Sequence, residues 1–541
     1  MRNSVLSKVA SAAWRLARDN RGNSMAIVAG AVIPLTAVIG GGLDVARAQL
    51  AQSRLSQACD AAALAGRRAM SNEDIETAKP EATKFFNFNF PQQYMGTASF
   101  TPVITKPDTG TVKVTAATTV PTTIMKIFGH ASIPINVDCD ATQNFDNVDI
   151  VLVLDTTGSM AQNIAGTSSV GDNNANSKMY ALRQAVMALY DELKSAQDQL
   201  AAQGLRLRYG IVPYSSTVNV GKLVYAQNPN YMLGGNVSYQ SRTPNYYSNG
   251  SFKNWTYQPV NYDVTNYLSG GTLTAPTGNN GSNVNMTWGG CIEERQTVST
   301  INSSTSTATV PSGAYDLDID YVPNSAATKW RAYIATANNG TDNSYTSAVH
   351  GRDTVANTSG GWVPQMACPQ QARRLGTMTR DEMQTYVNSL FSDGGTYHDI
   401  GMIWGGRFIS PGGIFGGDNP SVFNDRPVNR YVIFMTDGIL DTGTSIYTAY
   451  GLEKIDKRVT GGWTSDADQT ARHKQRFLIA CNAAKQKGVS IWSIVFASAS
   501  ETTLKSCASS DDQYAISANS ADLIAKFKEI GKNIGALRLS K

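Results

Sequence analysis

Asp155, Thr157 and Ser159 stand two residues apart, directly after the apolar run IVLVL at 150–154. A turn closing that run can aim one carboxylate and two hydroxyls at a single point. Such a hard-oxygen set suits a divalent cation, Mg2+ first, with Mn2+ or Ca2+ as alternatives. The competing structural reading is that Asp155 caps a helix and Ser159 satisfies a turn. Other chemistries lack their parts. A strand followed by two aspartates two apart would suggest an aspartyl nucleophile with a second acid–base carboxylate, but position 157 is Thr. Neither a GxxxxGK[ST] phosphate cradle nor a GxSxG elbow occurs. The four histidines, His130, His350, His398 and His473, include no pair at zinc spacing. His398 follows Thr396 by two positions, which could bring it near the same loop, and reads first as a surface or helix-start residue.

Positioning such oxygens requires a sheet, and the flanking sequence supplies one. The unbroken apolar run at 150–154 is the pattern of a strand buried on both faces. Met179, Leu182, Val186, Leu189, Leu193 and Leu200 then recur at helical spacing. Strands follow at 207–212, 431–435 and 489–496, with helices at 469–487 and 521–534. Strands alternating with helices predict an α/β class: a doubly wound, mostly parallel sheet with helices on both faces. Ligands of such sheets bind beyond the carboxyl ends of the strands, which is where 155–159 falls. This domain is expected to comprise 148–221 and 376–541. The interruption at 222–375 is rich in Asn, Ser, Thr and Gly and lacks apolar periodicity. A structureless loop this long is suspect inside a domain, so an inserted polar subdomain is expected, with disorder as the alternative. Trp255, Trp288, Trp330 and Trp362 argue for packing there.

Composition narrows the class. Charged residues make up 16% of the 541 positions, against about 25% in typical soluble proteins. The balance suits an exported protein with long polar loops. A net charge of +4 without a basic stripe excludes nucleic acid as the natural partner. Six cysteines occur without a CxxC pair. In an oxidising compartment Cys291 with Cys368, and Cys481 with Cys507, make sensible disulfides. Buried free thiols are the alternative, and Cys59 and Cys139 are left unassigned.

Residues 25–43 form an uncharged, mostly apolar run of 19 residues, long enough to span a bilayer. Arg2, Lys8, Arg15, Arg18 and Arg21 precede it against the single acid Asp19. The positive-inside rule keeps residues 1–24 in the cytoplasm and sends the rest across. A signal peptide cut after Ala46-Arg47-Ala48 and a buried soluble helix are the alternatives. Residues 44–70 are rich in Ala, Leu, Gln and Arg and continue the helix outward. Residues 71–147 read as a small α+β module, with β-prone runs at 100–104, 112–116 and 133–137 and a helix closing near 84–90.

Two stretches carry family resemblances. The basic RGNS start, the Gly- and Ala-rich apolar run, and LDVARAQLAQSRLSQACDAAALAGRRA resemble the N-terminal segment of TadE/TadG-like proteins of the Tad (Flp) pilus system, most distinctively QACDAAALAG at 57–66. The glutamate that pilin-like members carry near the start of the run is missing, which favours a retained anchor over pilin-style processing. Asp155-Thr156-Thr157-Gly158-Ser159 resembles the D-x-S-x-S metal-ion-dependent adhesion site of von Willebrand factor A (vWA) domains, with Thr157 for the middle serine. By that resemblance, Thr396 of Gly394-Gly395-Thr396 is the threonine ligand, and Asp437, after the strand YVIFM, is the second aspartate, acting through water. A vWA fold with a degenerate, metal-free site is the alternative. The stretch RYGIVPYS at 208–215 and Trp404-Gly405-Gly406-Arg407 resemble TadG-type vWA domains in particular, although Trp404 also suits plain helix–sheet packing.

The resemblance implies a single-pass protein of the bacterial inner membrane with its bulk in the periplasm or outside the cell. It would serve a pilus assembly or adhesion apparatus, without catalytic residues, gripping a protein partner that donates a carboxylate to the metal. A surface adhesin for an external ligand and a metal-dependent hydrolase are the other readings. Nothing in the sequence indicates the oligomeric state.

Overall fold

The computed structural model describes residues 23–70, 74–108, 110–142, 146–334, 355–356, 365–438, 440–443, 446–462, 465–499 and 501–536. The tail expected in the cytoplasm falls outside the described residues up to position 22, as does Trp362. The chain divides into two compact units, 1–144 with 538–541, and 145–537.

In the first unit, α1 (Asn23–Ala69) runs 47 residues with Pro34 inside it. Within it Gly30–Ala69 is long and apolar enough, by length and composition, to cross a membrane, and Leu35, Val38 and Ile39 are exposed there. Farther along, Ala48, Ala51, Leu55, Ala58 and Ala62 are buried, a spacing of three and four that defines one helical face. Their small side chains let the helix lie close on α2 (Ile75–Asn89) and on the antiparallel sheet of β1 (Val103–Thr105), β2 (Thr111–Pro121) and β3 (Ser132–Thr142). A Cβ on Gly66 would come within 2.9 Å of the Ala82 methyl. The Cys59–Cys139 disulfide ties α1 to β3.

The second unit contains, in order, β4 (Asn147–Asp155), α3 (Lys178–Ala202), β5 (Leu207–Tyr214), a hairpin of β6 (Asn236–Tyr246) and β7 (Phe252–Asp263), β8 (Arg373–Gly376), α4 (Arg380–Asn388), α5 (His398–Ile409), β9 (Arg426–Thr436), α6 (Asp466–Gln486), β10 (Val489–Phe496), α7 (Thr502–Cys507), β11 (Tyr514–Ser517) and α8 (Ser520–Ala536). Its main sheet has seven strands, ordered β8-β5-β4-β9-β10-β11, with a short strand Val422–Phe423 beside β9. Neighbours from β5 to β11 are parallel, and β8 is an antiparallel edge. Every residue of β4 is buried, as expected of a central strand covered on both faces. Alternate side chains serve different cores. Ile150, Leu152 and Leu154 pack with α3, α4 and α8, whereas Val151 and Val153 pack with α5 and α6. This is a mixed α/β arrangement.

The described part of 222–375 shares the second of those cores: Trp288, Leu317, Trp330 and Ile334 are buried together with Val153 and Trp404. Its centre is polar. The buried Glu294 carboxylate accepts hydrogen bonds from Trp330 Nε1 (3.0 Å), Trp404 Nε1 (2.6 Å) and both terminal nitrogens of Arg407 (2.7 and 3.2 Å). Burial alone would raise the Glu294 pKa, but the Arg407 charge and hydrogen bonds outweigh it and hold the carboxyl below its usual range. Disulfides join Cys291 to Cys368 and Cys481 on α6 to Cys507 on α7.

Candidate functional site

The register aligns strand ends. Leu154 pairs with Met435, and Asp155 with Tyr214, so β4, β5 and β9 finish along one edge, where the backbone turns away and polar groups are free to point outward. Asp155 is the last residue of β4, and a single-turn 3-10 helix, Gly158–Ala161, follows. The Asp155 Oδ1 accepts from the Thr157 backbone N–H at 2.9 Å, and its Oδ2 from Thr436 Oγ1 at 2.7 Å. Thr157 Oγ1 stands 3.1 Å from Ser159 Oγ, which donates to Asp437 Oδ1 at 2.8 Å. Asp155, Thr157, Ser159 and Asp437 therefore form one linked oxygen cluster.

Thr396 lies on the adjoining loop. Gly158 N–H donates to Gly394 O and Asp393 N–H to Thr156 O, both at 2.9 Å. These bonds bind the 393–396 loop to the 156–158 turn. Thr396 is buried and its own N–H donates to Asp441 O at 3.0 Å. Gly394 has φ +82°, and a Cβ there would lie 2.4 Å from the Ala367 methyl, so only glycine suits that corner.

Two residues of the site, Lys178 and Thr436, escaped the sequence reading, and a third, His398, is weighed there but reads first as a surface residue. Lys178, the first residue of α3, extends its ammonium to Asp437 Oδ2 at 2.8 Å, with the two side chains 6% and 1% exposed. The signal was local: a cation in the first turn of a helix opposes the macrodipole and calls for a partner. Thr436 donates to Asp155, so its oxygen accepts from His398 Nε2 at 3.1 Å, which assigns the Nε2–H tautomer. His398 does start α5, but it is buried rather than at the surface. Burial pushes its pKa down to about 4, against the opposing charge of Asp399, and the ring is neutral. Trp404 is buried and bound to Glu294, so its role is packing and core hydrogen bonding.

The electrostatics follow from burial. Asp155 is fully buried, and that burial, with the Asp437 charge, pushes its carboxyl up to about 7 against the lowering hydrogen bonds from Thr436 and Thr157. Among the described residues no three His, Cys, Asp or Glu side chains converge as a metal cluster; the donors here are two carboxylates and intervening hydroxyls. Neighbouring oxygens on an octahedral magnesium, with bonds of 2.0–2.1 Å, lie about 2.9 Å apart. The 3.1 Å between the Thr157 and Ser159 hydroxyls is close to that spacing, and Asp437 stands one hydrogen bond behind Ser159 at 2.8 Å, where a water-mediated carboxylate would sit. Gly158 is exposed and Ser159 half-buried, so the cluster opens to solvent on that side.

No curated protein matches this chain. Among solved structures it is similar to the pilus adhesin SpaC from Lactobacillus rhamnosus GG (TM-score 0.32, 12% identity, 81% of this chain and 34% of that one). It is also similar to the PilB minor pilin from Streptococcus sanguinis (0.30, 12%, 80% and 77%) and to the vWF domain of the type V pili tip protein Mfa5 from Porphyromonas gingivalis (0.30, 10%, 74% and 98%). The chain spans about a third of the SpaC chain. Residues 22–71 match the family described as putative Flp pilus-assembly TadE/G-like, and this segment is a TadE/G-like one.

Proposed function

We propose that this chain is a membrane-anchored component of a Tad/Flp-type pilus assembly or adhesion apparatus, and that its second unit is a vWA-type domain gripping a protein partner through a divalent cation, Mg2+ first. The observation that carries the reading is the oxygen cluster at the shared strand edge, with the Thr157 and Ser159 hydroxyls 3.1 Å apart and the opening to solvent at Gly158 and Ser159. The TadE/G-like segment at 22–71 supports the pilus context.

Asp155, Thr157, Ser159 and Thr396 would hold the ion, with Asp437 contributing through water. When bound, the ion would offer an open coordination position to a partner carboxylate. The chain's own residues do the positioning. Thr436 and the Thr157 N–H orient Asp155, Ser159 orients Asp437, and the Gly158–Gly394 bond fixes the turn against the 393–396 loop. Lys178 holds Asp437 from the buried side. For the anchor, α1 is unbroken through Ala48, which is buried. A cut there would separate Asp44 from the 123–125 backbone that it binds. These contacts support a retained helix over a cleaved signal.

Titration calorimetry of the detergent-solubilised chain with Mg2+ and Mn2+ tests the metal reading beside Asp155→Ala. Saturable binding that disappears in the variant is expected. Equal heats from both proteins, or none from the native chain at millimolar metal, would sink it.

A further inference from the structure

The β2–β3 hairpin ends in a tip that the pilus reading does not use. The strands pair over eleven positions, from Thr111 with Thr142 to Pro121 with Ser132. The hairpin runs back along α1 toward its apolar end. Cys59 is bonded to Cys139, Gln52 Nε2 donates to Asn136 O at 2.7 Å, and the Asp44 carboxylate accepts the backbone N–H groups of Thr123, Ile124 and Met125 at 2.9, 2.8 and 2.8 Å. At the far end Ile124 is so close to α1 that a Cβ on Gly40 would lie 2.3 Å from its Cγ2. The tip reverses through a 3-10 turn, Met125–Phe128, closed by Gly129 at φ +91°. His130 N–H returns to Met125 O at 3.0 Å. The turn is therefore fixed to the helix by a carboxylate clamp and tight packing.

That fixed turn presents apolar side chains to the outside. Ile127 is 75% exposed and Phe128 45%, with Lys126 and His130 exposed beside them. No strand or helix needs them there, and exposed apolar clusters mark interaction surfaces. Their level along α1 identifies the occupant. The uncharged run ends at Leu43 and Asp44 is its first charge. At 1.5 Å per residue, the contacts at Gly40 place the tip about 3–5 Å inside the end of that run. Amphipathic segments at membrane interfaces sit at a comparable depth, with cations at the headgroups.

We infer that the 124–128 tip is a second membrane contact, with Ile127 and Phe128 inserted into the interfacial layer of the bilayer that α1 crosses and Lys126 at the lipid phosphates. The inference rests on reading 25–43 as a membrane span. The carboxylate clamp and the disulfide then act together. They hold the hairpin in register with the helix, so that α1 and the tip meet the membrane at fixed relative depth and set the tilt of this unit on the surface.

The six native cysteines are paired in three disulfides, so a single added cysteine can carry an environment-sensitive fluorophore. The full chain would be reconstituted in phosphatidylcholine–phosphatidylglycerol vesicles as Ile127→Cys, Phe128→Cys, Ile39→Cys or Phe88→Cys. Ile39 lies within the apolar run, and Phe88 is an 83% exposed site on α2. Blue-shifted emission and loss of iodide quenching at 127, 128 and 39, with 88 remaining aqueous, is the expected result. Lipid-protected 39 with aqueous 127 and 128 would overturn the tip contact and leave the anchor standing. Aqueous 39 would overturn both.

Discussion

Replacing Lys178 by Met tests the site from its buried side. The ammonium is 2.8 Å from Asp437 Oδ2, and the two side chains are 6% and 1% exposed. Methionine keeps the unbranched shape and most of the length of the side chain and removes the charge. Asp437 then stays buried with only the Ser159 hydroxyl on its other oxygen. Removing one partner of a buried pair costs about 3–5 kcal/mol. In chelator the variant is expected to melt lower by an amount on the order of 5 °C, since 1 kcal/mol moves the midpoint of a large domain by about 1–2 °C. Added metal reverses part of the loss. An ion at 100 times its dissociation constant stabilises by about 2.7 kcal/mol, over half of the loss. The native chain gains less from the same concentration because Lys178 already compensates Asp437. Calorimetric melting of both proteins, in EDTA and in millimolar Mg2+, gives the four midpoints needed. A variant as stable as the native chain in EDTA would refute the buried-pair argument. A magnesium shift no larger in the variant than in the native chain would refute the link between Lys178 and the ion.

Three other perturbations address the scaffold. Glu294→Gln leaves Arg407 without its buried counterion and is expected to destabilise the second unit by about 3–5 kcal/mol at neutral pH. Because the folded Glu294 pKa is lowered from 4.5, its contribution is complete above that value and is lost as pH falls through the folded one; the gap between native and variant melting temperatures should therefore narrow as pH falls below 4.5. Gly405→Ala places a Cβ 2.5 Å from Val153 Cγ2, between α5 and the central strand. Urea unfolding should show a loss of about 1–3 kcal/mol, and an unchanged midpoint would count against this close packing. The double variant Cys59→Ser, Cys139→Ser opens a crosslink between residues 80 apart in sequence and is expected to lose about 2–4 kcal/mol under oxidising conditions. Dithiothreitol should bring the native first unit toward the variant.

What could be read from the sequence was local. The runs at 150–154 and 431–435 are apolar because their strands are covered on both faces, and the Asp155 and Asp437 loops follow them directly. The helix at Lys178–Ala202 announces itself by its spacing because one of its faces is buried and the other is not. Long-range polar partnerships left no such trace. Glu294 meets Trp404 and Arg407 more than 100 positions away, and no period links a buried carboxylate to its distant donors. In 222–375 Trp288 and Trp330 pointed to packing, but not to the core beside α5, because the chain around them is irregular or in short strands and carries no apolar period. Cys59 and Cys139 could not be paired before the helix-on-sheet contact was seen. His398 looked like a surface residue because its environment is set by Thr436, Phe434 and Phe477, all remote in sequence.

Charge balance connects these features to the proposed partner. Two carboxylates and one ammonium leave the cluster with an excess of one negative charge when all are ionised. The raised Asp155 pKa is the response of a fully buried carboxyl to its burial and to Asp437. Lys178 alone does not neutralise the site. A divalent ion would reverse the excess, leaving one positive charge to be met, and a carboxylate from a protein partner would meet it. Without Lys178 the same two aspartates and ion would already be neutral, and an incoming carboxylate would add an uncompensated charge at a largely buried site. By this reasoning Lys178 weakens the hold on the metal alone and strengthens the hold on metal and acidic partner together. Lys178→Met should then bind Mg2+ more tightly than the native chain, yet bind acetate, as a stand-in for the partner carboxylate, more weakly in the presence of Mg2+. If both affinities moved in the same direction, the lysine would be a structural counterion only.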